Sequence, residues 1–218
     1  TLRIDYIHAG NATENSYYLH ELKEEPYWGG SKTNLLDIFN YGKYKIEIRD
    51  SATNKEIYSR FYSTLFSEWQ TTAEAKEISK SFHESVVVPF PKKTVKAIFY
   101  TRDKKHNLHN KFELYVNPNN YFISTERRLE FPKFEIINNG DPANKVDIVI
   151  LPEGYTADEM NLFREDCKKF SQYLFNSSPF KENKNKFNIW GVAAPSPESG
   201  TDIPAENIWK KTLLNTSF

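Results

Sequence analysis

The chain has 218 residues, and 29 Lys and Arg are balanced by 29 Asp and Glu, so its formal net charge is zero. That balance argues against nucleic acid as the main partner, because phosphate binding draws on a basic surplus gathered on one face. With 39% hydrophobic and 27% charged residues, the composition is that of a globular chain large enough for one domain or two modest ones. No apolar run reaches membrane-spanning length, and a single cysteine, Cys167, rules out an intrachain disulfide. No basic-then-apolar leader opens the chain, and Thr1 is not a natural start, so removal of a leader or a tag ahead of this point is the expectation. Aromatics at 15%, with abundant Asn and Lys, suit an exported β-rich protein.

Residues 2–8 alternate Leu2, Ile4 and Tyr6 with Arg3 and Asp5. Residues 44–50 alternate Tyr44, Ile46 and Ile48 with Lys45, Glu47 and Arg49, the period-two pattern of half-buried strands. The turn-rich Ser51-Ala52-Thr53-Asn54 separates that strand from another over 57–63, which predicts a hairpin. A third apolar run covers 85–90 (SVVVPF), and 94–100 with 111–117 predict a second hairpin closed by the polar segment 102–110. Between them, residues 73–81 read as a short helix or an irregular crossover. Gly29-Gly30-Ser31-Lys32-Thr33 is a loop, because it lacks both the glycine spacing and the strand-to-helix context of a phosphate-binding loop. Six or seven short strands with polar connectors predict an amino-terminal antiparallel β-sandwich over 1–130. Segments rich in Asn, Pro and Gly at 117–120 and 138–142 bracket 127–137, which reads as an extended connector, and a linker is expected over 131–144.

The remaining 145–218 change character. Residues 145–151 (KVDIVIL) are almost continuously apolar, as two-sided burial in a parallel sheet demands. A tight loop, 152–156, leads to a Thr156-x-x-Glu159 capping box and an amphipathic helix over 157–175. Met160, Phe163, Cys167, Phe170 and Leu174 form its predicted apolar stripe. Asn176-Ser177-Ser178-Pro179 ends the helix, and 187–192 (FNIWGV) should return parallel to the first strand through a right-handed crossover. This is the first β-α-β unit of an α/β domain, with a sheet edge and an apolar face left to be covered.

Ligands of open parallel sheets bind beyond the carboxyl ends of the strands. The loops 152–156 and 194–204 leave those ends, carrying Glu153, Tyr155, Glu198, Ser199 and Asp202 together with Gly154 and Gly200. Glu153, Tyr155 and Asp202 are the substrate-cleft candidates. The plainer reading stands beside them: Glu153 as an anion at a helix start and Gly154 as a turn former. Ser199-Gly200 lacks the G-x-S-x-G surround of a nucleophile elbow. Cys167 lies on the helix's apolar side with nothing near it in sequence to lower its pKa, so it reads as structural. His8 and His20 read as strand-surface residues. His106 and His109 beside Asp103 make a faint ligand-like cluster in a hairpin loop, and no H-E-x-x-H occurs. No metal ligand and no catalytic residue is therefore assigned to these 218 residues.

The run VDIVILPEGYTADEMNLFREDCKKFSQYLFNSSPFKENKNKFNIWGVAAPSPESGTD resembles the start of the catalytic domain in the IgA-peptidase family of bacterial zinc metallopeptidases. The matching pieces are 146–151, Glu153-Gly154-Tyr155-Thr156, Phe175 with Pro179-Phe180, Phe187-Asn188-Ile189-Trp190, and Glu198-Ser199-Gly200 with Asp202. Residues 66–75 (FSEWQTTAEA) and Val88-Pro89-Phe90-Pro91 are similar to the amino-terminal domain attached to many members. The resemblance implies peptide hydrolysis by zinc-activated water in the full-length protein, with the H-E-x-x-H helix beyond Phe218. It also implies a protein or peptide substrate, and a secreted, periplasmic or cell-surface location in a bacterium. The rival reading is a non-catalytic cell-surface module that recognises protein or glycan through Tyr17, Tyr18, Tyr27, Trp28 and Trp69.

Overall fold

The alternating segments pair as their periodicity demands. β1 (Leu2–Gly10) lies between β2 (Asn15–Glu24) and β5 (Lys80–Val88), antiparallel to both, and β8 (Ile123–Ser124) extends that sheet parallel to β2. β3 (Tyr44–Asp50) pairs antiparallel with β4 (Glu56–Tyr62) and β6 (Val95–Arg102), and β7 (Leu108–Val116) completes a second four-stranded sheet. These elements belong to the first of two units in the computed structural model, Thr1–Glu126 and Arg127–Phe218. The residues described are 1–126 and 130–216.

The first unit is thus β-rich. One buried cluster draws on both sheets: Leu2, Ile4 and Tyr6 from β1, Val86 and Val88 from β5, Tyr44, Ile46 and Ile48 from β3, and Ala97 and Phe99 from β6. The expected apolar sides of 2–8 and 44–50 are the buried ones, because period-two alternation sends every second side chain to the same face. Three elements depart from expectation. β2 was not legible as a strand, since its sequence NSYYLHELKE buries only Tyr17, Leu22 and Lys23 and carries a register shift opposite Asp5 and Tyr6. Helix α1 (Leu65–Trp69) was not read at all, whereas α2 (Glu74–Glu77) is the short helix offered as one reading of 73–81, and β5 starts at Lys80 rather than at 85. Phe66, Trp69 and Ala75 of these short helices form a small buried cluster against Phe82.

His8 is a correction: it is fully buried, not a strand-surface residue. It continues the inward side of Leu2, Ile4 and Tyr6. Its ring lies 4.2 Å from Tyr17 and 3.9 Å from Phe66, centroid to centroid. Burial is tolerated because both ring nitrogens have partners: Nδ1 is 3.0 Å from Glu84 Oε2, and Nε2 is 3.2 Å from Asn15 Nδ2. The aromatics of the binding-module reading also separate. Tyr17 and Trp69 are buried and Trp28 packs against the core, leaving only Tyr18 and Tyr27 exposed.

In the second unit β10 (Val146–Ile150) runs parallel to β11 (Phe187–Val192), with Ile148 opposite Ile189. The chain between them forms a short 3-10 turn at Ala157–Glu159 and then α3 (Met160–Asn176). The third strand is β9 (Lys133–Ile137), antiparallel to β11, so the sheet is mixed and its order is β10-β11-β9. Lys133–Ile137 of the expected linker is therefore a strand of this sheet, not connector; Arg127, Arg128 and Leu129 lie outside the described residues. Phe134 of β9 packs on Phe163 of α3 and over Gly191, where any Cβ would collide with the Phe134 ring.

The buried face of α3 is Phe163, Cys167, Ser171 and Phe175, an i, i+4 row, while Phe170 is more than half exposed beside Tyr173. The expected stripe was too wide: a helix crossing a three-stranded sheet presents one narrow row to it. β10 is an edge strand, so Val146, Val149 and Leu151 are about half exposed and the two-sided burial expected of it is not met in the described residues.

Candidate functional site

The parallel pairing of β10 and β11 brings the loops after them to the same end of the sheet. They are tied together by backbone. The Gly200 amide donates to the Gly154 carbonyl at 2.9 Å, and the Ser196 amide to the Tyr155 carbonyl at 2.7 Å. Gly154 has φ +74°, and a Cβ there would strike the Gly200 carbonyl, so both its conformation and its neighbour require glycine. Ser196, almost fully buried, accepts from the amides of Gly154 and Leu213, each at 3.0 Å. The Thr156–Glu159 capping box forms as its spacing predicts, and the free oxygen of Glu159 accepts from Ser199 Oγ at 2.8 Å.

The three cleft candidates sit within this wiring. Glu153 accepts from Thr212 Oγ1, from the Leu214 amide (2.9 Å), and from the amide and hydroxyl of Thr216 (3.1 and 2.8 Å). Desolvation pulls its carboxyl upward, but the hydrogen bonds from Thr212, Leu214 and Thr216 outweigh it and lower the pKa to about 2. Tyr155 sets its ring at a tilt beside Phe163 and donates its hydroxyl to Asp166 Oδ2 at 2.9 Å, and burial with that acceptor raises its pKa. Asp202 accepts from the Lys210 amide at 2.6 Å. Glu153 and Tyr155 share one loop and Asp202 lies on the adjoining one. All three carboxylate or phenol groups are committed to neighbouring chain.

Sequence reasoning missed two buried polar residues: Ser196 at this end, and Asn188 at the opposite, amino end of β10 and β11. Asn188 is fully buried: its Oδ1 accepts from the Asn139 amide at 2.7 Å, and its Nδ2 donates to Gly140 O and Asp147 Oδ1, each at 3.0 Å. An Asn interrupting an otherwise apolar strand was the available signal, as was Ser196 between two prolines. Cys167 is buried, and desolvation followed by the Asp166 charge pushes its thiol up to about 11, so it is protonated and unreactive in the folded state.

Among the described residues, no group of three or more His, Cys, Asp or Glu side chains is arranged to hold a metal ion. His109 Nε2 lies 2.8 Å from Asp103 Oδ2, but Asp103 also accepts from the Lys105 and Asn107 amides, and His106 occupies a left-handed turn position. These residues do not fit a zinc centre. No helix of the described residues is long and apolar enough to cross a membrane.

Two family models cover most of the chain in order. One described as Peptidase M64 N-terminus matches residues 1–113, and one described as IgA Peptidase M64 matches residues 134–218. The chain belongs to the M64 peptidase family. No curated protein matches it. The M64 N-terminus match covers the elements from β1 to β6 and the first part of β7, and the IgA Peptidase M64 match covers all but the first residue of the sheet β10-β11-β9, helix α3 and both wired loops. The family points to a protein substrate.

Proposed function

We propose that this chain is the amino-terminal part of a secreted or periplasmic zinc metallopeptidase. Its zinc, held by residues C-terminal to Phe218, would supply the activated water for peptide hydrolysis. The observation that carries the reading is the order of the two M64 matches along one chain, the second lying on a parallel β-α-β unit with joined loops at its carboxyl end. In this reading the first unit is an amino-terminal β-sandwich that positions the enzyme. Glu153, Tyr155 and Asp202 shape one wall of the cleft as positioning residues, since each is spent on neighbouring chain rather than free for substrate.

The test uses the full-length gene product. About one zinc per molecule, and cleavage of a mixed peptide library that a chelator abolishes and added zinc restores, is the expected result. A longer protein that holds no zinc and cleaves no peptide would end this reading.

A further inference from the structure

We propose that a cavity in the first unit, walled by the β1–β2 turn, the β6–β7 hairpin and the end of α1, is a binding site for a small oxyanion group: carboxylate, sulfate or phosphate. The cavity is about 320 Å³, at the small end of the range for ligand pockets. Ala12 is its only lining residue with a wholly apolar side chain. Its charged lining is one-sided in a chain of zero net charge: Lys43, Arg102, Lys104 and Lys111 against the single carboxylate of Asp103.

That carboxylate is already occupied. Asp103 Oδ1 accepts from the Lys105 and Asn107 amides, each at 2.8 Å, and Oδ2 lies 2.8 Å from His109 Nε2. The four cations take part in none of the ion pairs among the described residues. Arg102 is also held rigid. Its Nε donates to Gly42 O at 3.0 Å, its Nη2 to Asn40 O and Oδ1 at 3.1 and 2.7 Å, and its guanidinium lies 5.0 Å from the Phe61 ring centre. Among the described residues, Nη1 has no protein acceptor. Arg102 with Lys43, Lys104 and Lys111 gives the cavity a set of cationic donors suited to a planar or tetrahedral oxyanion.

The site is tested by calorimetric titration of the 218-residue chain with inorganic phosphate, sulfate and glucuronate, and with glucose as the neutral control. Saturable binding of at least one oxyanion, weakening as NaCl is raised, and none of glucose, is expected. The tightest of the three identifies the source as a phosphate ester, a sulfate ester or a carboxylate. Lys43→Gln with Lys111→Gln removes two ammonium groups that make no ion pair or hydrogen bond among the described residues, and should weaken binding about tenfold or more at unchanged thermal midpoint. Arg102→Lys keeps the charge and loses the fork, and should weaken it as well. Absence of saturable binding by all three anions, or binding that survives the double lysine substitution, would overturn the proposal.

Discussion

Tyr6, Tyr44, Phe66 and Phe99 of the first unit have no exposed surface, and one apolar cluster there draws on eight strands. The second unit buries Phe163, Cys167, Phe175, Ile189 and Ala194, and among them the polar Ser171, Asn188 and Ser196. The first unit is stabilised chiefly by apolar area removed from water, spread over many interchangeable contacts. The second has a three-stranded sheet and one long helix, so fewer apolar groups can be buried, and its loops depend on individual hydrogen bonds and on one glycine contact. Loss of one contact should therefore be graded by size in the first unit and by position in the second.

Four substitutions or conditions would break or sharpen that contrast. Phe99→Ala should have the largest effect, about 3–5 kcal/mol, because it empties a fully buried aromatic site between the sheets. Urea unfolding should show it in the first unit, while alkylation of Cys167, which reports opening of α3, keeps its wild-type urea dependence. Equal shifts in both readouts would mean that the units unfold as one body. Gly154→Val should cost about 1–3 kcal/mol in backbone strain alone, the collision with the Gly200 carbonyl adding to it. Here the Cys167 readout should move and the first unit should not.

Asn188→Ala should cost about 1–3 kcal/mol, since the Asn139 amide and the Gly140 carbonyl lose their partner inside the unit. A loss no larger than that of an exposed Asn→Ala change would show that the network contributes little. The smallest effect is set by pH. The Glu153 pKa is depressed in the folded state, so its contribution is complete above the ordinary value of 4.5 and is lost as pH falls towards about 2. The protection of the Leu214 and Thr216 amides relative to their intrinsic exchange rates should fall over that window in the parent and stay constant in Glu153→Gln. Protection that is constant in both proteins would remove Glu153 as the anchor of this segment.

The readable parts of the fold were those where one local rule acted alone. Strict alternation over 2–8 and 44–50 marked β1 and β3, and the Thr156–Glu159 spacing marked the start of the helical segment. β2 escaped because an exposed strand with a bulge keeps few apolar residues in register. β9 escaped because its short run, framed by Pro and Asn, has the composition of a connector and becomes a strand only by pairing with β11. Phe170 misled because an aromatic at helical spacing does not say how wide the facing surface is.

At the candidate site, the loops and their glycines were legible from the order of strand, loop, helix and strand. The uses of the side chains were not. Glu153, read as a cleft candidate or a helix-start anion, holds residues about sixty positions later in the chain, a partnership no local spacing encodes.

Amino-acid order alone settled the strand periodicity, the helix cap, the balance of charge and the family resemblance, because each depends on neighbours within a few residues or on a linear pattern. Sheet order, the burial of His8, the convergence of four cations on one cavity and the joining of Gly154 to Gly200 depended on the folded chain. They arise from contacts between residues far apart in sequence, where geometry selects the partner.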